Sequence, residues 1–155
     1  RHAASPAQIS RAHFARHLAE IGLFADSSKV FEHYLTPGKP GYAPHRWPTL
    51  ADAIGWIRAA NGVAVVAHPG CYKMSGASMR ALLGEFRDLG GAAIEVSSGS
   101  HTSDQIRHFA RQARKFGFHA SQGSDFHGDK GADLGGFPPL PEDLPSVWRL
   151  LDARK

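Results

Sequence analysis

With 155 residues, 42% of them apolar and 21% charged, the chain holds material for one ordinary core and has no low-complexity tract. Eighteen Lys and Arg against fourteen Asp and Glu leave +4, which suits an anionic substrate but is too small for a nucleic-acid coat. The single cysteine, Cys71, excludes an internal disulfide and fits a reducing, cytoplasmic setting, and no apolar run approaches the ~20 residues that span a bilayer. Ten histidines are the compositional outlier. Their side chains titrate near neutral pH and bind metals, so the question is which of them do chemistry. The opening Arg1-His2-Ala3-Ala4-Ser5-Pro6, without initiator Met or signal-peptide core, reads as the interior of a longer protein.

In chain order, the apolar spacing predicts a helix over 10–21 with Phe14, Leu18 and Ile21 inward and Gly22 closing it. A second short helix follows over 26–35, then a Pro- and Gly-rich loop over 36–48. Thr49 caps a helix carrying Leu50, Ala53, Ile54 and Ile57, which ends at Asn61-Gly62. The continuous apolar run 63–67 is the signature of a strand buried on both faces. Helices are expected over 75–89 (Met79, Leu82, Leu83, Phe86 inward) and 103–116 (Ile106, Phe109, Ala110, Ala113, Phe116 inward). Between and after them lie strands at 92–96 and 119–124. Alternating helix and strand defines a parallel α/β fold, in which ligands sit at the carboxyl ends of the strands. Each of the three strands ends in a polar cluster: His68-Pro69-Gly70, Ser97-Ser98-Gly99-Ser100-His101, and Gly123-Ser124-Asp125-Phe126-His127-Gly128.

Asp125 and His127 are the strongest local signal. Residues i and i+2 of an extended segment point the same way, so a carboxylate and an imidazole converge, a donor pair that suits Mn, Fe or Zn. On spacing alone the pair is equally an Asx-turn beside a surface histidine; its place after a buried strand favours a metal. His68, closing an apolar strand, could simply hydrogen-bond a neighbouring loop, but beside the Asp125–His127 edge it reads as a ligand. His13 and His17 are four apart on a helix, but no Glu follows His13 to serve as a base, which excludes a metalloprotease motif. Arg11 and His13 are either solvated side chains of a first turn or, with the free N–H groups there, an anion site. The Ser98–His101 loop is equally a plain turn or an oxyanion cradle. Glu95, inside an apolar strand, must be paired if buried, as a ligand or as a structural partner. His2, His33, His45, His108 and His119 belong to no constellation, and Trp47, Trp56 and Trp148 read as core or interface.

Four segments taken together resemble the PHP family, the polymerase-and-histidinol-phosphatase-type metal phosphoesterases. They are Ser10-Arg11-Ala12-His13-Phe14-Ala15, Ala67-His68-Pro69-Gly70, Ile94-Glu95-Val96 with Ser98-Gly99-Ser100-His101, and Gly123-Ser124-Asp125-Phe126-His127-Gly128. The likeness is greatest to the subgroup that cleaves nucleoside 3′,5′-bisphosphates and trims short RNA from the 5′ end. The resemblance implies an α/β fold, the C-terminal part of a distorted (β/α)7 barrel. Residues 1–48 would be a small helical insertion and loop, and 49–155 the C-terminal βα units. It further implies divalent metal ions, trinuclear in the full-length protein and commonly Mn²⁺, with Zn²⁺ or Fe²⁺ as alternatives. His68, Asp125 and His127 would be metal ligands, the latter two also catalytic. Arg11, His13, Ser98 and His101 would face substrate phosphate.

No His-x-His pair of the kind that opens family members is present, so about the first two-fifths of a typical family member would be missing. The piece alone is then expected to bind metal weakly, to turn over little, and to expose unpaired strand edges. Its partners would be a small phosphorylated nucleotide or short RNA and the N-terminal part of its own barrel, with no membrane and no stable DNA binding. The alternatives are a phosphatase of another small ester, such as histidinol phosphate, and a degenerate module without catalysis.

Overall fold

A computed structural model describes residues 9–44, 46–126 and 134–152. The chain falls into two units, Arg1–Trp47 and Pro48–Lys155. His2, His45 and His127 lie outside the described residues.

In the first unit, α1 (Arg11–Glu20) is followed by α2 (Ser27–Val30), which runs directly into a π-helical turn (Phe31–Leu35). Asp26 caps α2, its carboxylate accepting the Lys29 N–H at 3.0 Å. The small core is Ala15, Val30 and Leu35, with Leu18, Ala19, Phe24 and Phe31 packed on it. This corrects the expected inward face of the first helix: Phe14 and Ile21 are each 55% exposed. Ala15, Leu18 and Ala19, spaced i, i+3, i+4, form the buried stripe instead, and the two alanines let α2 approach closely.

The second unit begins with α3 (Leu50–Ala59). Thr49 Oγ1 accepts the Asp52 N–H at 3.1 Å while the Asp52 carboxylate accepts the Thr49 N–H at 3.3 Å, a reciprocal cap. Then come β1 (Val65–Val66), a 3₁₀ turn (Pro69–Cys71), α4 (Gly76–Asp88), β2 (Ala93–Ser98), α5 (Ser103–Phe116), β3 (His119–Gly123) and α6 (Trp148–Asp152). The three strands form one parallel sheet in the order β1-β2-β3, crossing over through α4 and α5. The mixed helix–strand architecture is the one read from the sequence, with two changes. The first strand spans only Val65–Val66, because the Ala64 carbonyl is shared between the Ala92 and Ala93 N–H groups and regular pairing starts beyond it. The second strand runs on through Ser97 and Ser98, which pair with Gln122 and Gly123 rather than forming a loop.

Pairing between β2 and β3 shifts register between Glu95 and Ser97, so that Val96 has no opposite number. Beyond β3, Ala120 makes a single parallel bridge to Ser146: it donates to the Pro145 carbonyl at 2.8 Å and accepts from Val147 at 2.9 Å. Arg114 on α5 clasps the Asp143 carboxylate with two bonds of 2.6 and 2.8 Å, fastening the same segment.

The core of this unit lies between the sheet and its helices: Ile54, Met79, Leu83 and Phe86 meet Ile94, Val96, Phe109, Ala113 and Phe118. Trp47, Trp56 and Trp148 are more than half exposed, which removes them from any core of this chain. Leu83 is fully buried, so Leu83→Ala should cost roughly 3 kcal/mol through lost burial and a residual cavity. A urea midpoint unchanged from wild type would contradict this packing. Among the described residues no helix is long and apolar enough to cross a membrane.

Candidate active site

The chemistry-bearing residues of the second unit collect where the three parallel strands end. His68 lies two residues beyond β1, Glu95 within β2, and Asp125 two residues beyond β3. Glu95 is only 9% exposed, and its carboxylate lies between the end of β1 and the end of β3. Oε2 accepts the His68 backbone N–H at 2.6 Å. Oε1 faces Gly123 so closely that a Cβ there would stand 3.1 Å from it. A buried carboxylate bonded to an N–H is a satisfied one, so the strand carries its charge without an orphaned group.

His68 has a left-handed backbone, φ +29° and ψ +56°. That region costs a residue with a Cβ about 1 kcal/mol or more, and a following proline disfavours it further. Such strain survives only where neighbours fix the backbone. Here Glu95 holds the His68 N–H, and the His68 carbonyl accepts from Cys71 at 3.0 Å. The imidazole Nδ1 is buried and has no hydrogen-bond partner. The Tyr72 ring stands edge-on to the imidazole, centroids 6.2 Å apart. Burial, with Cys71 and Glu95 nearby, pushes the Tyr72 phenol above its ordinary pKa.

Asp125 repeats the pattern at the end of β3: it is partly buried, with φ +55°. Asp is among the few residues that visit this region readily. Ser124 Oγ accepts the Phe126 N–H at 3.3 Å, tightening the turn around it.

The end of β2 carries buried hydroxyls, and a buried histidine follows it. Ser98 is 1% exposed, with its hydroxyl 3.0 Å from that of Ser100. The Ser97 hydroxyl donates to the Pro138 carbonyl. His101 is 9% exposed and uses both ring nitrogens within the protein. Nδ1 lies 3.1 Å from the Val96 carbonyl, and Nε2 accepts the Gly70 N–H at 3.0 Å. Since a carbonyl only accepts and an N–H only donates, the proton must be on Nδ1. Gln105 completes the arrangement: Oε1 accepts the Thr102 N–H at 2.7 Å, and Nε2 donates to the Gly70 carbonyl at 2.8 Å.

In the first unit, Arg11 is the exposed first residue of α1. His13 Nδ1 accepts the Ser10 N–H at 2.9 Å and lies 2.9 Å from the Ser10 hydroxyl, so this histidine also caps its own helix.

An orphaned imidazole nitrogen at a strand end is what a metal ligand looks like without its ion, and imidazole with carboxylate is a donor set that Mn, Fe and Zn accept. His68 and Asp125 therefore fit part of a metal shell. Among the described residues no three His, Cys, Asp or Glu side chains gather closely enough to hold an ion. The sequence left Glu95 open, and its bond to His68 identifies it as a structural partner of that residue. Gly70 and Gln105 were not singled out from the sequence. The Thr102-Ser103-Asp104-Gln105 spacing, a helix-capping signature, was the available signal for Gln105.

No family model matches the chain. Its relatives are enzymes named for work on phosphate esters, and the chain spans about half the length of the curated relatives it matches. It is 49% identical over 152 residues to a 3′,5′-nucleoside bisphosphate phosphatase of Chromobacterium violaceum, covering 97% of this chain and 53% of that protein. To a 5′-3′ exoribonuclease of Haemophilus influenzae it is 37% identical over 142 residues, 91% of this chain and 52% of that one. Among solved structures it superimposes on a Chromobacterium violaceum protein described as an amidohydrolase, with bound sulfate and no metal. That match has TM-score 0.84 and 49% identity, over 97% of this chain and 53% of the other. A Bifidobacterium adolescentis protein described as a metal-dependent phosphoesterase shares the fold, with TM-score 0.69 and 24% identity over 94% of this chain and 50% of that one.

Proposed function

We propose that this chain is the C-terminal part of a PHP-type metal-dependent phosphoesterase. The whole protein would hydrolyse nucleoside 3′,5′-bisphosphates or the 5′ ends of short RNA. The observation that carries this reading is the unpartnered, buried Nδ1 of His68, a residue whose backbone N–H is held by the carboxylate of Glu95. The names of the relatives support the substrate class.

Divalent ions held by His68, Asp125 and His127, with Mn²⁺ the first choice, would supply an activated water and neutralise phosphoryl oxygens. Glu95 fixes the backbone from which His68 projects and adds negative charge beside it. The phenol of Tyr72, edge-on to the imidazole, can donate a hydrogen bond to an anionic oxygen there. On α1, Arg11 offers a guanidinium fork and His13 an imidazole to a phosphate at the helix start, where the free N–H groups add to the attraction. Ser98, buried at the end of β2, shapes its loop, and its hydroxyl would reach an oxyanion only by leaving Ser100. The remainder of the barrel comes from the N-terminal part of the protein, so this chain alone is expected to be inactive.

The test uses the complete protein with Mn²⁺, comparing a 3′,5′-bisphosphate with the matching 5′-monophosphate. The bisphosphate should be the better substrate, and chelation should abolish turnover. Equal rates on both would overturn the substrate assignment. Arg11→Ala should raise KM for the bisphosphate about tenfold, in keeping with the loss of one charge-assisted contact, with kcat within about twofold. An unchanged KM would remove Arg11 from the phosphate site.

A further inference from the structure

We infer that His101 and Gln105 are positioning residues: together they lock Gly70, and through it they hold His68 in the left-handed conformation that aims its imidazole. The inference rests on the reading of His68 as a metal ligand for its consequence in chemistry, but the lock itself stands on four observations.

First, Gly70 is gripped at both of its backbone groups. Its N–H goes to His101 Nε2 at 3.0 Å and its carbonyl to Gln105 Nε2 at 2.8 Å. Second, there is no room for a side chain between the two residues. A Cβ at Gly70 would stand 2.7 Å from the His101 ring and 2.9 Å from the Gln105 amide. Third, both gripping side chains are themselves anchored elsewhere. His101 is bonded to the Val96 carbonyl of β2, and Gln105 to the Thr102 N–H at the start of α5. Fourth, the residue two positions before Gly70 is the strained one, with φ +29° ahead of a proline. Strain of this kind persists where the surroundings over-determine the backbone. Glu95 fixes the N–H side of His68, and the lock on Gly70 fixes the carbonyl side of the turn.

The consequence is a division of labour among buried groups. With both ring nitrogens engaged within the protein, His101 acts through a neighbouring strand's turn. Its tautomer, proton on Nδ1, is the only one that satisfies both of its partners.

Three variants separate the lock from general packing, each made in the complete protein. In His101→Asn the side-chain amide can still donate toward Val96 but is too short to accept from Gly70. In His101→Gln the longer side chain can accept from Gly70 while giving up Val96. Gln105→Glu keeps the Oε1 bond to the Thr102 N–H and loses the donor to the Gly70 carbonyl.

The readouts are hydrogen exchange of the Gly70 amide, the His68 backbone chemical shifts, and the zinc response of the His68 ring nitrogens by NMR. Gly70 exchange should rise at least tenfold in His101→Asn and stay within about threefold in His101→Gln. The His68 shifts should leave their left-handed values in His101→Asn and Gln105→Glu, with zinc affinity falling about tenfold. Equal effects of the Asn and Gln variants would overturn the lock, as would wild-type His68 shifts in Gln105→Glu. If wild-type His68 ignores zinc, the metal reading fails, while Gly70 exchange and His68 shifts still decide the lock.

Discussion

Asp125→Asn in the complete protein is expected to lower kcat by roughly a thousandfold at saturating Mn²⁺ while leaving the fold intact. The substitution replaces one oxygen by an amide group of the same size, and so removes the charge and little else. Asparagine also accepts the left-handed region as readily as aspartate, so the +55° φ of Asp125 survives the change. Thermal unfolding should shift by no more than a few degrees. Loss of activity with an unchanged unfolding curve identifies the carboxylate as part of the chemistry. Turnover close to wild type would remove Asp125 from the site, and with it the argument that the end of β3 carries ligands.

The second large effect is at Glu95, where two substitutions separate charge from hydrogen bonding. Glu95→Ala leaves the His68 N–H without its acceptor in a part-buried setting, which should cost about 2–3 kcal/mol. Glu95→Gln retains an acceptor oxygen, so its stability loss should be nearer 1 kcal/mol, the difference between a charged and a neutral bond. Both should lower kcat of the complete protein by about a hundredfold if the negative charge beside His68 matters, a loss typical of removing support for a metal ligand. Full activity in Glu95→Gln would leave Glu95 as a backbone clip alone. Urea unfolding and steady-state kinetics on the same two variants measure both quantities.

Much of this was legible in the chain because burial leaves a periodic trace. The stripe Ile106, Phe109, Ala110, Ala113 is unambiguous, and α5 lies where that stripe places it. Polar clusters after apolar runs marked the strand ends, and His68 and Asp125 lie there. What failed to register were interactions between residues far apart in sequence. Nothing local announces that the carbonyl of Gly70 meets Gln105, 35 residues later, or that Ser97 and Ser98 continue a strand. Small polar residues read as turn formers, yet these two have their pairing supplied by β3. On α1, a large aromatic residue outweighed an alanine in the reading. Burial chose the alanine, because helix approach is limited by side-chain size rather than rewarded by it. The role of His127, two residues past Asp125, lies outside the described residues.

The segment beyond β3 bears on how the sheet behaves in a crowded solution. An incomplete sheet is a template on which a second polypeptide can grow, strand upon strand, into a fibre. Here one flank, β1, gives only Val65 and Val66 of regular ladder. On the other, Pro145 and Val147 already occupy the Ala120 N–H and carbonyl. Prolines have no N–H to offer an incoming strand. The segment from Pro145 to Val147 thus works as a selvedge, a finished border that keeps the weave from extending to a neighbour.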